Sequence, residues 1–334
     1  MMAKAVKKIL ALLLAVMTAV TAMPIQAQAA PGRGAGYVIP FEYVSEPQTY
    51  VSSQNVLLNG IYFTVDTYND RIIYNDTPDP TLGILSWKVM ADDLNKPHSI
   101  CSDGLIYLVT DTDNNRVVTY ARLFTGEFVE VQSFESVGVR PHYCVYDAAT
   151  SSFYVWSSYT GEMYIYKRNK DFTIRLVSVK KIDALRGLYT RSFTIDGNKI
   201  LLCSQGAGGI IVVDKRTFRI TAAYPVPDEI GGVVQVSHVG AHYYLTTSSD
   251  RYGNMNSAKV VRSDSLAGFM FPSYYTDVTA ELGGSTGLLV PYYITEAYGM
   301  YFVRFIGMGA GQHDCGCWFN EDIFGNIVVY GTIS

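Results

Sequence analysis

Charge is scarce in this 334-residue chain: Asp, Glu, Lys and Arg make up 17% of it, against 49% hydrophobic residues. That balance excludes a disordered polypeptide, which would be poor in apolar residues and rich in charge. Basic residues are the scarcer sign, 26 against 30 acidic ones, and no basic run occurs. The electrostatic footprint of a nucleic-acid binder is therefore missing. Cysteine is limited to five residues, an odd number that leaves one thiol unpaired under any connectivity and argues against a disulfide framework. Cys101, Cys144 and Cys203 fall in predicted strands and read as small buried hydrophobes. Also missing are a catalytic triad pattern, a phosphate loop, a dinucleotide fingerprint and a zinc-protease helix.

Long apolar runs are confined to the first thirty residues. Lys4, Lys7 and Lys8 precede an uncharged Leu/Ala/Val stretch over residues 9–22, and Ala27-Gln28-Ala29 forms a small-x-small cleavage signal. Residues 1–29 are expected to be a secretory signal peptide. Position 30 is Ala, so a lipoprotein anchor is not expected, and no second span follows. Cleavage removes three Lys and no acid, leaving 23 basic and 30 acidic residues, a formal charge of −7. The expectation is a secreted, monomeric protein with no stable membrane insertion. Residues 30–36, with Pro31, Gly32, Gly34 and Gly36, are expected to be a disordered leader, and residues 37–334 a single domain.

What the chain has in abundance is short β-branched and aromatic runs bounded by turn residues. Examples are Leu105-Ile106-Tyr107-Leu108-Val109 and Arg116-Val117-Val118-Thr119-Tyr120. No dozen-residue amphipathic stripe appears after the leader, and residues 182–186 could form one helical turn at most. The strands recur. Aligning Asn59-Gly60, Asp103-Gly104, Asp147-Ala148, Asp196-Gly197, Val239-Gly240 and Tyr298-Gly299 gives spacings of 44, 44, 49, 43 and 59 residues. Six such units of four strands cannot bury both sheet faces alone but can when stacked radially, so the predicted fold is an all-β, six-bladed β-propeller of four-stranded antiparallel blades. A strand at residues 37–43 is expected to pair into the last blade beside residues 327–330 and close the ring.

The stretch from Lys96-Pro97-His98 through Asp103-Gly104 to Asp111 and Asn114-Asn115-Arg116 resembles an NHL-type repeat. Partial copies lie at Asp66-Thr67-Tyr68-Asn69-Asp70-Arg71 and Arg140-Pro141-His142. The resemblance implies the propeller fold, and implies that His at the channel entrance could serve catalysis or metal binding. Function does not follow from the fold, since such propellers serve as enzymes, sensors and scaffolds.

In a propeller the inner-strand starts and the hairpins between second and third strands share one face. Counting back from the aligned turns places Gln54, His98, His142, Arg191, Val234 and Tyr293 around the channel mouth. Neutral imidazoles at His98 and His142 could hold a metal or act as a base, and Arg191 would hold an anion. A Pro-His dipeptide can equally be structural. Gly307 to Trp318 is expected in a hairpin on this face. His313, Cys315 and Cys317 are weak metal candidates there, competing with a strained Cys315–Cys317 disulfide or two plain thiols. Residues 111–115 lack the Gly and Glu of an EF-hand and read as a polar hairpin. The longer loop of the fifth unit, residues 248–257, should overhang the same face. Most of the 26 Tyr, including Tyr143, Tyr154, Tyr164 and Tyr166, are expected in packing, while Tyr159 and Tyr252 sit in loops.

The functional expectation is a binding protein for a small anionic, carbohydrate or peptide ligand at the channel mouth. The alternative is an extracellular lyase or hydrolase using the His/Arg group, with or without metal. A third reading comes from residues 242–248 and 262–269, which resemble a blade of the five-bladed glycoside hydrolase propellers. Glu296 and Asp66 would then be the nearest carboxylates. No cofactor is indicated.

Overall fold

The computed structural model describes residues 53–76, 87–284, 289–307 and 314–333, the last three by backbone only. Turn chemistry sets its frame. Asn59 and Gly60 have φ of 54° and 77°, and Tyr298 and Gly299 have φ of 54° and 76°. Two successive left-handed residues make the tight hairpin turn whose twist matches that of the flanking strands. Strands β1 to β24 run in chain order in six antiparallel sheets, each of four consecutive strands. The predicted six-bladed propeller is the observed fold. Among the described residues helical structure is limited to short 3-10 turns, one at Asp183–Leu185 within the segment expected to make a single turn.

The innermost strands are β1 (Gln54–Leu58), β5 (Pro97–Ser102), β9 (Pro141–Asp147), β13 (Thr190–Asp196), β17 (Val233–Val239) and β21 (Leu289–Ala297). Apolar clusters fill the space between neighbouring blades. Val56, Phe63, Tyr74, Ile100 and Tyr107 join blades 1 and 2, and Tyr62, Phe302 and Trp318 join blades 6 and 1. Each inner strand has one backbone edge without a ladder partner, and side chains of the adjacent blade satisfy it. Ser53 Oγ donates to His98 O at 2.7 Å, and Gln54 Oε1 accepts from Ile100 N at 2.8 Å. Cys144 N donates to Ser99 Oγ at 2.9 Å, and Trp156 Nε1 to Thr190 O at 3.2 Å. Ser192 Oγ and Thr194 Oγ1 donate to Val234 O and Val236 O at 2.5 and 2.6 Å. Ile294 N donates to Gln235 Oε1 at 2.6 Å, and Thr295 Oγ1 to Asn55 O at 2.8 Å. All six seams are bridged, the last of them joining blade 6 to blade 1.

The expected closing strand at residues 37–43 lies outside the described residues, as do the leader and signal segments. The sixth sheet nevertheless has four strands, all from residues 289–333, with β24 (Ile327–Ile333) outermost. The Asp–Asn–Arg motif of the first two units is a hairpin clip. Asp66 accepts from Asn69 Nδ2 at 2.9 Å and Arg71 Nε at 2.8 Å, and Asp111 accepts from Asn114 Nδ2 at 2.8 Å and Arg116 Nε at 2.5 Å. Both carboxylates are buried and paired. Tyr143, Tyr154 and Tyr166 are core residues, with Tyr164 partly buried against them.

Gln235 tests the stitching, because its carboxamide also donates to Tyr143 OH at 2.8 Å. Gln235→Ala should lower stability by about 2 to 4 kcal/mol, since the Ile294 N–H and the Tyr143 hydroxyl are left buried without partners. The midpoint of urea unfolding measures it, and an unchanged midpoint would contradict the role assigned here.

Candidate functional site: a cationic channel mouth

One irregularity recurs on the inner strands and delivers the candidate residues. Register slips by one residue between Pro97 and Ser99, between Pro141 and Tyr143, between Thr190 and Ser192, and between Val233 and Gln235. In the sixth blade the slip lies between Pro291 and Ile294. The residues skipped are His98, His142, Arg191, Val234 and the pair Tyr292 and Tyr293. A bulge leaves its extra residue off the ladder and re-aims its side chain. The count from the turns therefore found the correct position in these blades.

The first blade is the exception. Gln54 pairs with Val65 and Asp66 with Arg71, as Ser99 pairs with Thr110 and Asp111 with Arg116. Gln54 thus corresponds to Ser99, and Ser53 to His98. Gln54 faces the opposite end of the channel, and the upper mouth is lined by Ser53 instead.

That upper mouth is a cavity of about 400 Å³ lined by His98, Arg140, Arg191, Tyr189 and Tyr292, with Gln205 and the loop residues Ser248, Ser249, Gly253 and Met255. The fifth-unit loop overhangs this face as its length suggested. Among the described residues, two guanidinium groups and no carboxylate line the cavity. Arg191 donates from Nη1 to Ser248 Oγ and from Nη2 to Gln205 Oε1 at 3.1 Å, and lies over the Tyr189 ring at 5.3 Å. Arg140 pairs with Asp113 at 3.1 Å. The Nε atoms of both arginines are buried with no hydrogen-bond partner.

The two histidines touch, with ring centroids 3.9 Å apart and planes tilted by 38°. Their roles differ. His98 Nδ1 lies 2.8 Å from Lys96 O and 3.1 Å from Thr112 Oγ1, whose own proton goes to Pro141 O at 2.8 Å. A carbonyl can only accept, so Nδ1 carries the proton and Nε2 keeps a lone pair. Nε2 has no protein partner among the described residues, and His98 lines the cavity. His142 has both nitrogens engaged, Nδ1 by Tyr293 OH at 2.9 Å and Nε2 by Tyr189 OH at 3.1 Å. It is fully buried and supports the site from below. Burial lowers the His98 pKa to about 4 and holds His142 well below the usual imidazole value, with the neighbouring His98 and Arg191 adding to it. Both are neutral at physiological pH.

Several expectations are corrected by this geometry. Facing rings with only one open nitrogen between them do not form a two-histidine metal chelate. Tyr293 is buried under the mouth, and its neighbour Tyr292 lines the cavity. Cys315 and Cys317 lie on β23 (Cys315–Glu321), not in a hairpin, and both are free thiols. Burial pushes them up to about 11 and about 12, which disfavours thiolate ligation near neutral pH. His313 lies outside the described residues, among which no three His, Cys, Asp or Glu side chains gather as metal ligands. Asp66 is paired with Arg71, while Glu296 is exposed at the opposite mouth, so the two do not flank a common site. Arg140, Tyr189 and Gln205 were not anticipated, whereas Ser248 belongs to the fifth-unit loop expected over this face. Arg140 could have been found, since it precedes Pro141-His142 as Lys96 precedes Pro97-His98, and both adopt a left-handed φ, 57° and 46°.

The fold is a six-bladed propeller, and one mouth of its channel is cationic and aromatic-walled. No family model matches the chain, and no curated protein matches it. Among solved structures it is similar to the periplasmic gluconolactonase PpgL of Pseudomonas aeruginosa, with 13% identity, a TM-score of 0.52, and 79% of this chain covering 78% of that one. It is also similar to Kuenenia stuttgartiensis hydrazine synthase, with 12% identity, a TM-score of 0.51, and coverage of 83% and 78%. These likenesses show the fold.

The buried imidazoles predict an acid-sensitive fold. Between pH 6.5 and about 4 the unfolded chain binds a proton that His98 refuses in the native state. Its contribution is therefore complete above pH 6.5 and is lost as pH falls toward 4, a change of roughly 3 kcal/mol. His142 acts in the same direction. Calorimetric melting at pH 7 and at about pH 4.5 should show a smaller drop for His98→Asn, which keeps a donor near Lys96 O, than for the unaltered protein. Equal drops would contradict the assignment.

Proposed function

We propose that this propeller is a secreted binding protein whose upper mouth takes a small anionic ligand, a carboxylate or phosphate carried on a sugar-like body. The observation that carries the reading is the pair of buried, partnerless guanidinium nitrogens of Arg140 and Arg191 in a cavity without a carboxylate. Buried charged donors without acceptors are costly, and an anion would complete them with charge-assisted hydrogen bonds. Tyr68, Tyr189 and Tyr292 offer ring faces and hydroxyls for the rest of the ligand. Secretion is supported by the N-terminal sequence, and kinship with NHL-type repeats by the two Asp–Asn–Arg clips.

A second reading is favoured by His98. A neutral imidazole with Nδ1–H anchored on a carbonyl and an open Nε2 lone pair is poised to take a proton from water or from carbon. With Arg191 holding an anionic group, the same cavity would serve a hydrolase or lyase, and the gluconolactonase named among the structural neighbours makes sugar lactones a sensible substrate panel.

Calorimetric titration with sugar acids, sugar phosphates and their neutral parents separates these readings. The anions should bind at least about 10-fold more tightly than the parents, and Arg191→Gln should weaken them by about 10- to 100-fold. Binding without turnover supports the binding protein. Turnover of a lactone or ester that His98→Asn abolishes while anion affinity persists supports the enzyme. Equal affinity for neutral and anionic ligands would overturn the anion site itself.

A further inference from the structure

The channel has a second, larger cavity of about 510 Å³ at its other end, and it shares no lining residue with the first. Between the two lies a hydrogen-bonded waist in which His142 meets Tyr293 and Tyr143 meets Gln235. Below the waist the wall is apolar, formed by Val56, Ile100, Val145, Phe193, Ile195 and Ile294. Most polar side chains here are turned into the seams: Thr194 Oγ1 donates to Val236 O and Thr295 Oγ1 to Asn55 O.

Two polar groups are not used up in this way. Gln54, 3% exposed, engages Ile100 N through its carbonyl, while its amide nitrogen has no protein partner among the described residues. Ser237, 6% exposed, makes no hydrogen bond through its hydroxyl within the described protein. Both line the cavity and reach it as donors.

The rim carries the opposite sign to the upper mouth. Asp196 and Glu296 line it and, among the described residues, no Lys or Arg does; the His238 ring, also in the lining, lies 3.8 Å from Asp196. Tyr243 OH donates to Asp196 Oδ2 at 3.3 Å, and Glu296 Oε1 accepts from Gly299 N at 2.8 Å, which fixes both carboxylates at the entrance. Phe193 to Asp196 is three residues of strand, roughly 10 Å from wall to rim. A ligand of matching polarity has a cation at one end, an apolar body and a hydrogen-bond acceptor at the other.

We propose that this lower mouth is a second ligand site, independent of the first, that binds a small apolar amine, its ammonium at Asp196 and Glu296, its body against the channel wall and its acceptor group at the Gln54 amide. Tyramine is the probe that carries all three features. Three relatives each remove one: tyrosol lacks the charge, 3-(4-hydroxyphenyl)propionate reverses it, and phenethylamine lacks the distal oxygen.

Calorimetric titration of the full protein should show tyramine binding, with tyrosol at least about 10-fold weaker, the propionate silent and phenethylamine about 3-fold or more weaker. The rim variant Asp196→Asn/Glu296→Gln, isosteric and at the surface, should cost tyramine about 10-fold and erase its advantage over tyrosol. Arg191→Gln should leave tyramine unchanged, which separates this site from the anion site above. The ligand series needs no variant, so it stands even where a substitution disturbs folding. No tyramine binding, equal affinity for tyrosol or phenethylamine, or an unaffected rim variant would each overturn the proposal.

Discussion

The unpaired inner edge of each blade is the constraint on which this molecule rests. A blade alone would expose backbone donors and acceptors along its first strand, and at the axis there is little room for water to satisfy them. The chain answers with one or two polar side chains per seam, aimed at the neighbour's backbone: Ser53 and Gln54, Ser99, Trp156, Ser192 and Thr194, Gln235, and Thr295. These bonds set the spacing of the inner strands, and the aromatic and aliphatic clusters then fill the wedge between blades as it widens outward. The inner-strand Cys101 and Cys144 fit the same logic, being small enough to sit where the blades converge, while Cys203 is buried on the second strand of its blade.

The cationic mouth is a by-product of how those strands begin. A regular strand would send its side chains alternately along the two faces of its blade, into the packing. The extra residue at each bulge escapes that alternation. It can therefore be charged, as Arg191 is, or hold an open lone pair, as His98 does, at little cost to the core. Burial then completes the chemistry by keeping both imidazoles neutral, so that among the described lining residues the charge is carried by the two arginines, Arg140 being paired with Asp113.

The fold was readable because it is written six times. Turn pairs such as Asn59-Gly60 and Tyr298-Gly299 mark the hairpins, and their spacing counts the blades. Positions 98, 142 and 191 were readable for the same reason, as they sit at a constant distance before each turn. Position 54 failed the count because blade 1 has no recorded slip, and one residue is enough to move a side chain to the other end of the axis. Gln205 and Tyr189 escaped because they come from different loops and only the folded blades bring them to the mouth, whereas Arg140 carried a signal in its left-handed position before Pro141-His142. Cys315 and Cys317 looked like ligands by alternation alone, yet the same alternation puts two thiols on one side of an ordinary strand.

The waist of the channel has a consequence for what the protein can transmit. His142 and Tyr143 are consecutive residues, as are Tyr293 and Ile294; the first of each pair belongs to the upper network and the second to the lower. These bonds lie between two cavities that share no lining residue. A shift of either strand by a fraction of an ångström is therefore felt on both sides of the waist at once.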